Sequence, residues 1–117
     1  MKKLLVVLLL CVSASVFAQA KPGYILTELT INNKDAYMKA YAPKAQAMFA
    51  KFGGTQIIGS EAIERTSNVD KGVSRVTIFK FDSVDKAKAF YNSPERKELN
   101  QLRDKYATAR GYILEGK

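Results

Sequence analysis

The stretch Val73-Ser74-Arg75-Val76-Thr77-Ile78-Phe79-Lys80-Phe81-Asp82-Ser83 decides the fold. Val76 and Ile78 point one way; Thr77, Phe79 and Phe81 point the other. That two-residue period, in β-branched and aromatic residues, is the strongest strand signal in the chain. The strand runs directly into Asp82-Ser83, a helix start, with Asp85 in the first turn where a carboxylate suits the helix dipole.

Working back from this strand, Tyr24 to Ile31 reads as another. Ile25, Leu29 and Ile31 share one face, and Tyr24 and Leu26 share the other, so both faces need cover. Asn32-Asn33 turns the chain and caps a helix over Lys34 to Phe52. Its core stripe is Tyr37, Tyr41, Ala45, Met48 and Phe52, recurring every three or four residues. Pro43 has no N–H to donate, which predicts a kink or break near Lys39 to Ala42. Gly53-Gly54 stops the helix. Thr55 to Ser60 reads as a strand that bends at Gly59 and resumes at Ala62 to Arg65. Thr66 to Gly72 has turn composition.

Working forward, the helix begun at Asp82-Ser83 buries Ala87, Phe90 and Tyr91. Asn92-Ser93-Pro94-Glu95 is a break and restart, with Ser93 as cap and Pro94 at the first helical position. Leu99, Leu102 and Tyr106 form the stripe of the restarted helix. Arg110-Gly111 ends it, and Tyr112 to Glu115 is a short last strand. The order is β-α-β-β-α-β: an α+β, ferredoxin-like fold with a four-stranded antiparallel sheet and helices on one face. Apolar side chains on both faces of the first and third strands predict a homodimer closed sheet against sheet.

Residues 1–20 lie outside this pattern. Lys2 and Lys3, the apolar run Leu4 to Val12, and the small-x-small triplet Ala18-Gln19-Ala20 read as a secretory signal peptide cut after Ala20. The expected location is periplasmic or secreted, with no stable membrane anchor after cleavage. Leu10 before Cys11 argues against lipid attachment at that cysteine. What remains, residues 21–117, is the length of a single domain, able to bury roughly 60–65 % of its unfolded surface.

Removal of Cys11, the chain's one cysteine, leaves no thiol, and there is no histidine or tryptophan. Zinc, copper and haem sites lose their usual ligands. Ser-His-Asp and Cys-His catalysis are excluded. No metal and no cofactor is expected. The whole chain carries a formal charge of +8. Its lysines (Lys34, Lys39, Lys44, Lys51, Lys86, Lys88, Lys97 and Lys105) are scattered along helices, which is a solvated face rather than a phosphate-tracking stripe, so no nucleic-acid partner is expected.

Several segments together carry a family resemblance: Gly23-Tyr24, Lys51-Phe52-Gly53-Gly54, Ile78 to Ser83, Ala89-Phe90-Tyr91-Asn92-Ser93-Pro94-Glu95, Leu102-Arg103 and Tyr112-Ile113-Leu114-Glu115-Gly116. From Gly23 to Gly116 the chain resembles the small bacterial proteins of domain-of-unknown-function family 1330. The resemblance implies a ferredoxin-like protomer of the dimeric α/β-barrel superfamily, which includes cofactor-free monooxygenases, isomerases and haem-degrading enzymes. The family itself has no assigned activity. Two features depart from its pattern: the export signal, and Arg96 where an aromatic residue tends to follow Pro-Glu.

The candidate ligand contacts are Tyr91, Asn92, Ser93, Arg103, Arg75, Glu28 and Tyr41. Tyr91, Asn92 and Ser93 could line a pocket between helices and sheet, or serve as a core aromatic and caps. Arg103 could bind a ligand carboxylate in a two-point contact, or pair with Glu28, Glu64 or Glu95. Arg75 and Glu28 are strand charges that need partners. Tyr41 shares the core stripe with Tyr37, and their hydroxyls need partners if buried. Three functions stand open: a small-molecule-binding domain, a cofactor-independent oxygenase or isomerase, and an interaction module without a pocket.

Overall fold

The computed structural model describes residues 20–67 and 72–117, so the signal-peptide reading and the centre of the Thr66 to Gly72 turn lie outside the described residues. Four strands, β1 (Gly23–Ile31), β2 (Thr55–Ser60), β3 (Arg75–Phe81) and β4 (Ala107–Glu115), form one antiparallel sheet in the order β2-β3-β1-β4. The helical cover comprises α1 (Lys34–Ala36), a π-helical turn at Tyr37–Tyr41, α2 (Ala42–Lys51), α3 (Val84–Tyr91) and α4 (Pro94–Arg103). This is the ferredoxin-like α+β arrangement the sequence predicts.

Local chemistry places each boundary. Asn33 accepts the Ala36 N–H through Oδ1 at 3.1 Å, Ser83 accepts the Lys86 N–H at 3.2 Å, and Ser93 accepts the Arg96 N–H at 3.1 Å. Each satisfies a donor that helix geometry leaves orphaned. Gly53 ends α2 with φ at +87°, a conformation that costs a side-chain-bearing residue energy. Gly23 lets β1 pass under α3: a Cβ there would meet the Ser83 carbonyl oxygen at 2.6 Å.

The break expected near Pro43 is the π-helical turn, in which the Ala42 N–H donates to the Tyr37 carbonyl, five residues back. Pro43, with no N–H to donate, then falls in the first turn of α2.

The core lies between the sheet's inward face and the helices. Phe49 stacks on Phe79 with ring centroids 3.6 Å apart and meets Phe90 at 4.4 Å. Phe81, Phe90 and Leu29 are essentially sealed from solvent. Burying each such side chain stabilises the fold by about 1.5–3 kcal/mol.

Several expectations are corrected. The helical stripe is Tyr37, Tyr41, Ala45 and Phe49, with Met48 and Phe52 half-buried at its margin. Tyr91 is not a core residue: as the last residue of α3 it is 43 % exposed. The last helix ends at Arg103, and the last strand begins at Ala107 rather than Tyr112, because β4 pairs with the full length of β1. β2 does not resume after Ser60. Its irregularity lies between Gln56 and Ile58, not at Gly59, and β3 offers no residue before Arg75 to pair with Ala62 to Arg65.

Candidate functional site

Alternation along β1 and β3 should place hydrocarbon at every inward position. It fails at Thr27 on β1 and at Arg75 and Thr77 on β3. Thr27 and Thr77 are cross-strand partners on the inward face, between Ile25–Phe79 on one side and Leu29–Arg75 on the other. They form the polar floor of a cavity of about 50 Å³ between sheet and helices. The π-helical turn supplies Tyr37 and Tyr41, whose rings lie 5.0 Å apart. β3 supplies Arg75; α4 supplies Arg96, Asn100 and Arg103. Gln46 of α2 donates through Nε2 to Gln56 Oε1 of β2 at 2.6 Å, spanning the helix-to-sheet gap beside the cavity.

The charges have a direction. Among the described residues, no carboxylate lines the cavity. The Arg75 side chain is 14 % exposed, and its Nη1 lies 3.8 Å from Glu61 Oε2. Glu61 already accepts from Lys34 at 2.8 Å, and that bond holds its carboxyl below the usual range. The Arg75 Nε is buried and has no hydrogen-bond partner among the described residues. Arg103 donates through Nε and Nη2 to Asp104 Oδ1 at 3.3 and 3.2 Å, toward a carboxylate largely in solvent. Arg96 lays its guanidinium 3.7 Å from the centre of the Tyr91 ring.

Both phenols stay protonated. Burial pushes Tyr37 up to about 12, reinforced by Tyr41 and opposed by Arg75 and Arg103, with Arg75 also hydrogen-bonding it. Burial likewise raises Tyr41, against the charge of Arg103 and a hydrogen bond from it. Two neutral phenols and three guanidinium groups therefore converge on one small space.

A second hollow, of about 150 Å³, shares Ile25, Thr27, Arg96 and Arg103 with the first and continues toward Tyr91, Tyr112 and Ile113. Neither reaches the roughly 300 Å³ of a drug-sized site. A wider open groove of about 660 Å³ separates α2 from α4, and the Lys51–Glu95 ion pair (3.6 Å) joins its sides.

Of the sequence candidates, Tyr41, Arg75 and Arg103 meet in the first cavity, and Tyr91 sits at the rim of the second. Ser93 is a cap: besides accepting from Arg96, its hydroxyl donates to the Phe90 carbonyl at 2.7 Å. Asn92 ends α3, exposed to solvent. Glu28 lies on the opposite face of the sheet from Arg75, where the Tyr112 hydroxyl donates to it at 3.4 Å. Arg103 pairs with Asp104, not with Glu28, Glu64 or Glu95. Sequence reasoning missed Thr27, Gln46, Gln56 and Asn100 and gave Thr77 no role. The available signal was the threonine interrupting each strand's inward face. Among the described residues, no group of three or more His, Cys, Asp or Glu side chains is placed to hold a metal, and no helix is long and apolar enough to cross a membrane.

A four-stranded antiparallel sheet under a helical cover, with a polar, cationic cavity between them, defines a ferredoxin-like domain. The chain belongs to the family DUF1330, a domain of unknown function, whose model matches residues 22–117. Among curated proteins, none matches. Solved structures share the fold. A protein of unknown function from Rhodopseudomonas palustris is 16 % identical, with 92 % of each chain covered and a TM-score of 0.66. SnoaB, a cofactor-independent oxygenase from Streptomyces nogalater, is 18 % identical, with 84 % of this chain and 95 % of that one covered and a TM-score of 0.62. An EthD-like protein from Ralstonia eutropha is 13 % identical, with 82 % and 92 % covered and a TM-score of 0.57. These likenesses are of fold, and fold alone carries no activity.

Proposed function

We propose that the chain is an exported, homodimeric binding domain that holds a small molecule between its sheet and its helices. One observation carries the reading: the cavity is lined by Thr77, Tyr37, Tyr41, Arg75 and Arg103 in a layer where a purely structural module gains most from hydrocarbon. Buried polar groups destabilise a fold unless partnered, and Arg75 Nε has no partner among the described residues. A bound molecule supplies one.

Export rests on the pattern of residues 1–20. Homodimerisation rests on the sheet's open face, where Leu26 is flanked by Ile78 and Tyr112, and Tyr24 by Leu114. Tyr112, Leu114 and Ile58 are 52 %, 45 % and 42 % exposed, a contiguous apolar surface of the kind that partners cover. Its charges are Lys80, beside Tyr24, and the pair Glu28 and Arg110, which lie opposite one another in the register and are of opposite sign; that pair suits a two-fold pairing of the face with a copy of itself.

Mass spectrometry of the protein secreted by a Gram-negative host reads both export and ligand. The expected result is a periplasmic chain beginning at Lys21 that releases a small molecule on denaturation. A chain retaining Met1 in the cytoplasm overturns export. Absence of any released molecule, together with no thermal stabilisation across a metabolite panel, overturns the pocket.

A further inference from the structure

We propose that this cavity takes the carboxylate of a small organic acid, clamped between Arg75 on the sheet and Arg103 on the helical side; the proposal rests on the reading of the cavity as a ligand site. Four observations converge on it.

First, the cavity wall is cationic. Among the described residues, three arginines line it and no carboxylate does. The two acids that do touch these arginines sit at the outside, Asp104 in solvent and Glu61 shared with Lys34. The inward side of the cluster is left with positive charge and no anion.

Second, Arg75 Nε is a buried N–H donor without an acceptor among the described residues. A guanidinium presents its donors as a planar fork that matches the two oxygens of a carboxylate. Gly59 keeps space for that fork. A Cβ on it would come within 2.9 Å of Arg75 Nη2 and 2.3 Å of the Gln56 side-chain amide nitrogen.

Third, the neutral groups are donors. The phenols of Tyr37 and Tyr41 hold their protons and receive hydrogen bonds from arginines, so each hydroxyl hydrogen is left to point at an acceptor.

Fourth, the sizes fit. A cavity of about 50 Å³ has room for a group the size of a carboxylate. The adjoining hollow of about 150 Å³, walled in part by Tyr91, Ala109 and Ile113, takes a short apolar or flat body. The ligand class is therefore a compact monocarboxylic or dicarboxylic acid with few atoms beyond its head.

The test is calorimetric titration of the full mature chain in Tris chloride. The acid probes are acetate, succinate and benzoate, set against acetamide, succinamide and benzamide, with inorganic phosphate as a further arm. At least one acid should bind about tenfold or more tightly than its amide, and R75Q and R103Q should each weaken it by about tenfold or more, since a buried charge then loses its partner. R75K keeps the charge without the fork and should recover only part of the affinity; it gives the same readout if R75Q does not fold. Equal binding of acid and amide, binding of phosphate alone, or acid binding unchanged in R75Q and R103Q overturns the carboxylate clamp while leaving a ligand site standing. No binding by any probe also overturns the clamp. The cavity reading falls separately, when the purified protein releases no molecule.

Discussion

Tyr37 and Tyr41 occupy the two ends of the π-helical turn. Strict four-residue spacing drifts about 40° per step around an α-helix. The wider turn takes back part of that drift, so Tyr37, Tyr41, Ala45 and Phe49 all face the core. Burial has a measurable effect on Tyr37. An unfolded phenol ionises near 10, whereas the folded one waits until about 12. Between those values the native state keeps a proton that the unfolded state has lost. Its contribution to stability is complete below pH 10 and declines as pH rises toward 12. Denaturation midpoints measured from pH 8 to pH 12 should fall across that window, and Y37F should flatten the fall; an equally steep loss in Y37F assigns it to other groups. The tyrosines were legible in the sequence as a helical stripe. Phe49 was not, because pure α periodicity favours Met48 and Phe52. Thr27 and Thr77 were legible only as gaps in two hydrophobic alternations, which become a site once the register sets them side by side.

At the scale of elements, the α3–α4 junction separates capping from binding. Ser93 joins the two helices through both of its hydrogen bonds, and α4 carries Arg96 and Arg103. Ser93→Ala should lower unfolding free energy by about 1 kcal/mol, the usual loss for a cap, with ligand affinity retained. Lost affinity at unchanged stability would return Ser93 to the binding residues. The junctions that carried strong local chemistry, Asn32-Asn33, Gly53-Gly54, Asp82-Ser83 and Ser93-Pro94, were all readable. β4 was not. Ala107-Thr108-Ala109 has no strong strand preference of its own and becomes a strand by pairing with Leu29, Thr30 and Ile31. Ala62 to Arg65 is the converse, a segment suited to a strand with no neighbour to complete it.

At the scale of the molecule, the two faces of the sheet divide the work. The inward face holds the core and the cationic cavity, and the outward face carries Leu26, Ile78, Tyr112 and Leu114. A sheet-to-sheet dimer predicts that light scattering of the mature chain gives twice the protomer mass, and that L114K, which places a charge within that apolar surface, shifts it to the monomer without unfolding it. A wild-type monomer at micromolar concentration removes the pairing. Glu28 shows why the site was only partly readable: a strand sequence gives alternation but not which face a charge joins, and the register put Glu28 outward and Arg75 inward.

The strand order β2-β3-β1-β4 sets the timing of assembly. β1 lies near the N-terminus, yet its two neighbours are residues 75–81 and 107–115. Contacts so distant along the chain form slowly, because the intervening loops must close first. The sheet is completed only when the last nine-residue strand has been synthesised. For a chain proposed to cross a membrane, a sheet that cannot be completed before its last strand exists would favour a precursor still unfolded when it meets the membrane.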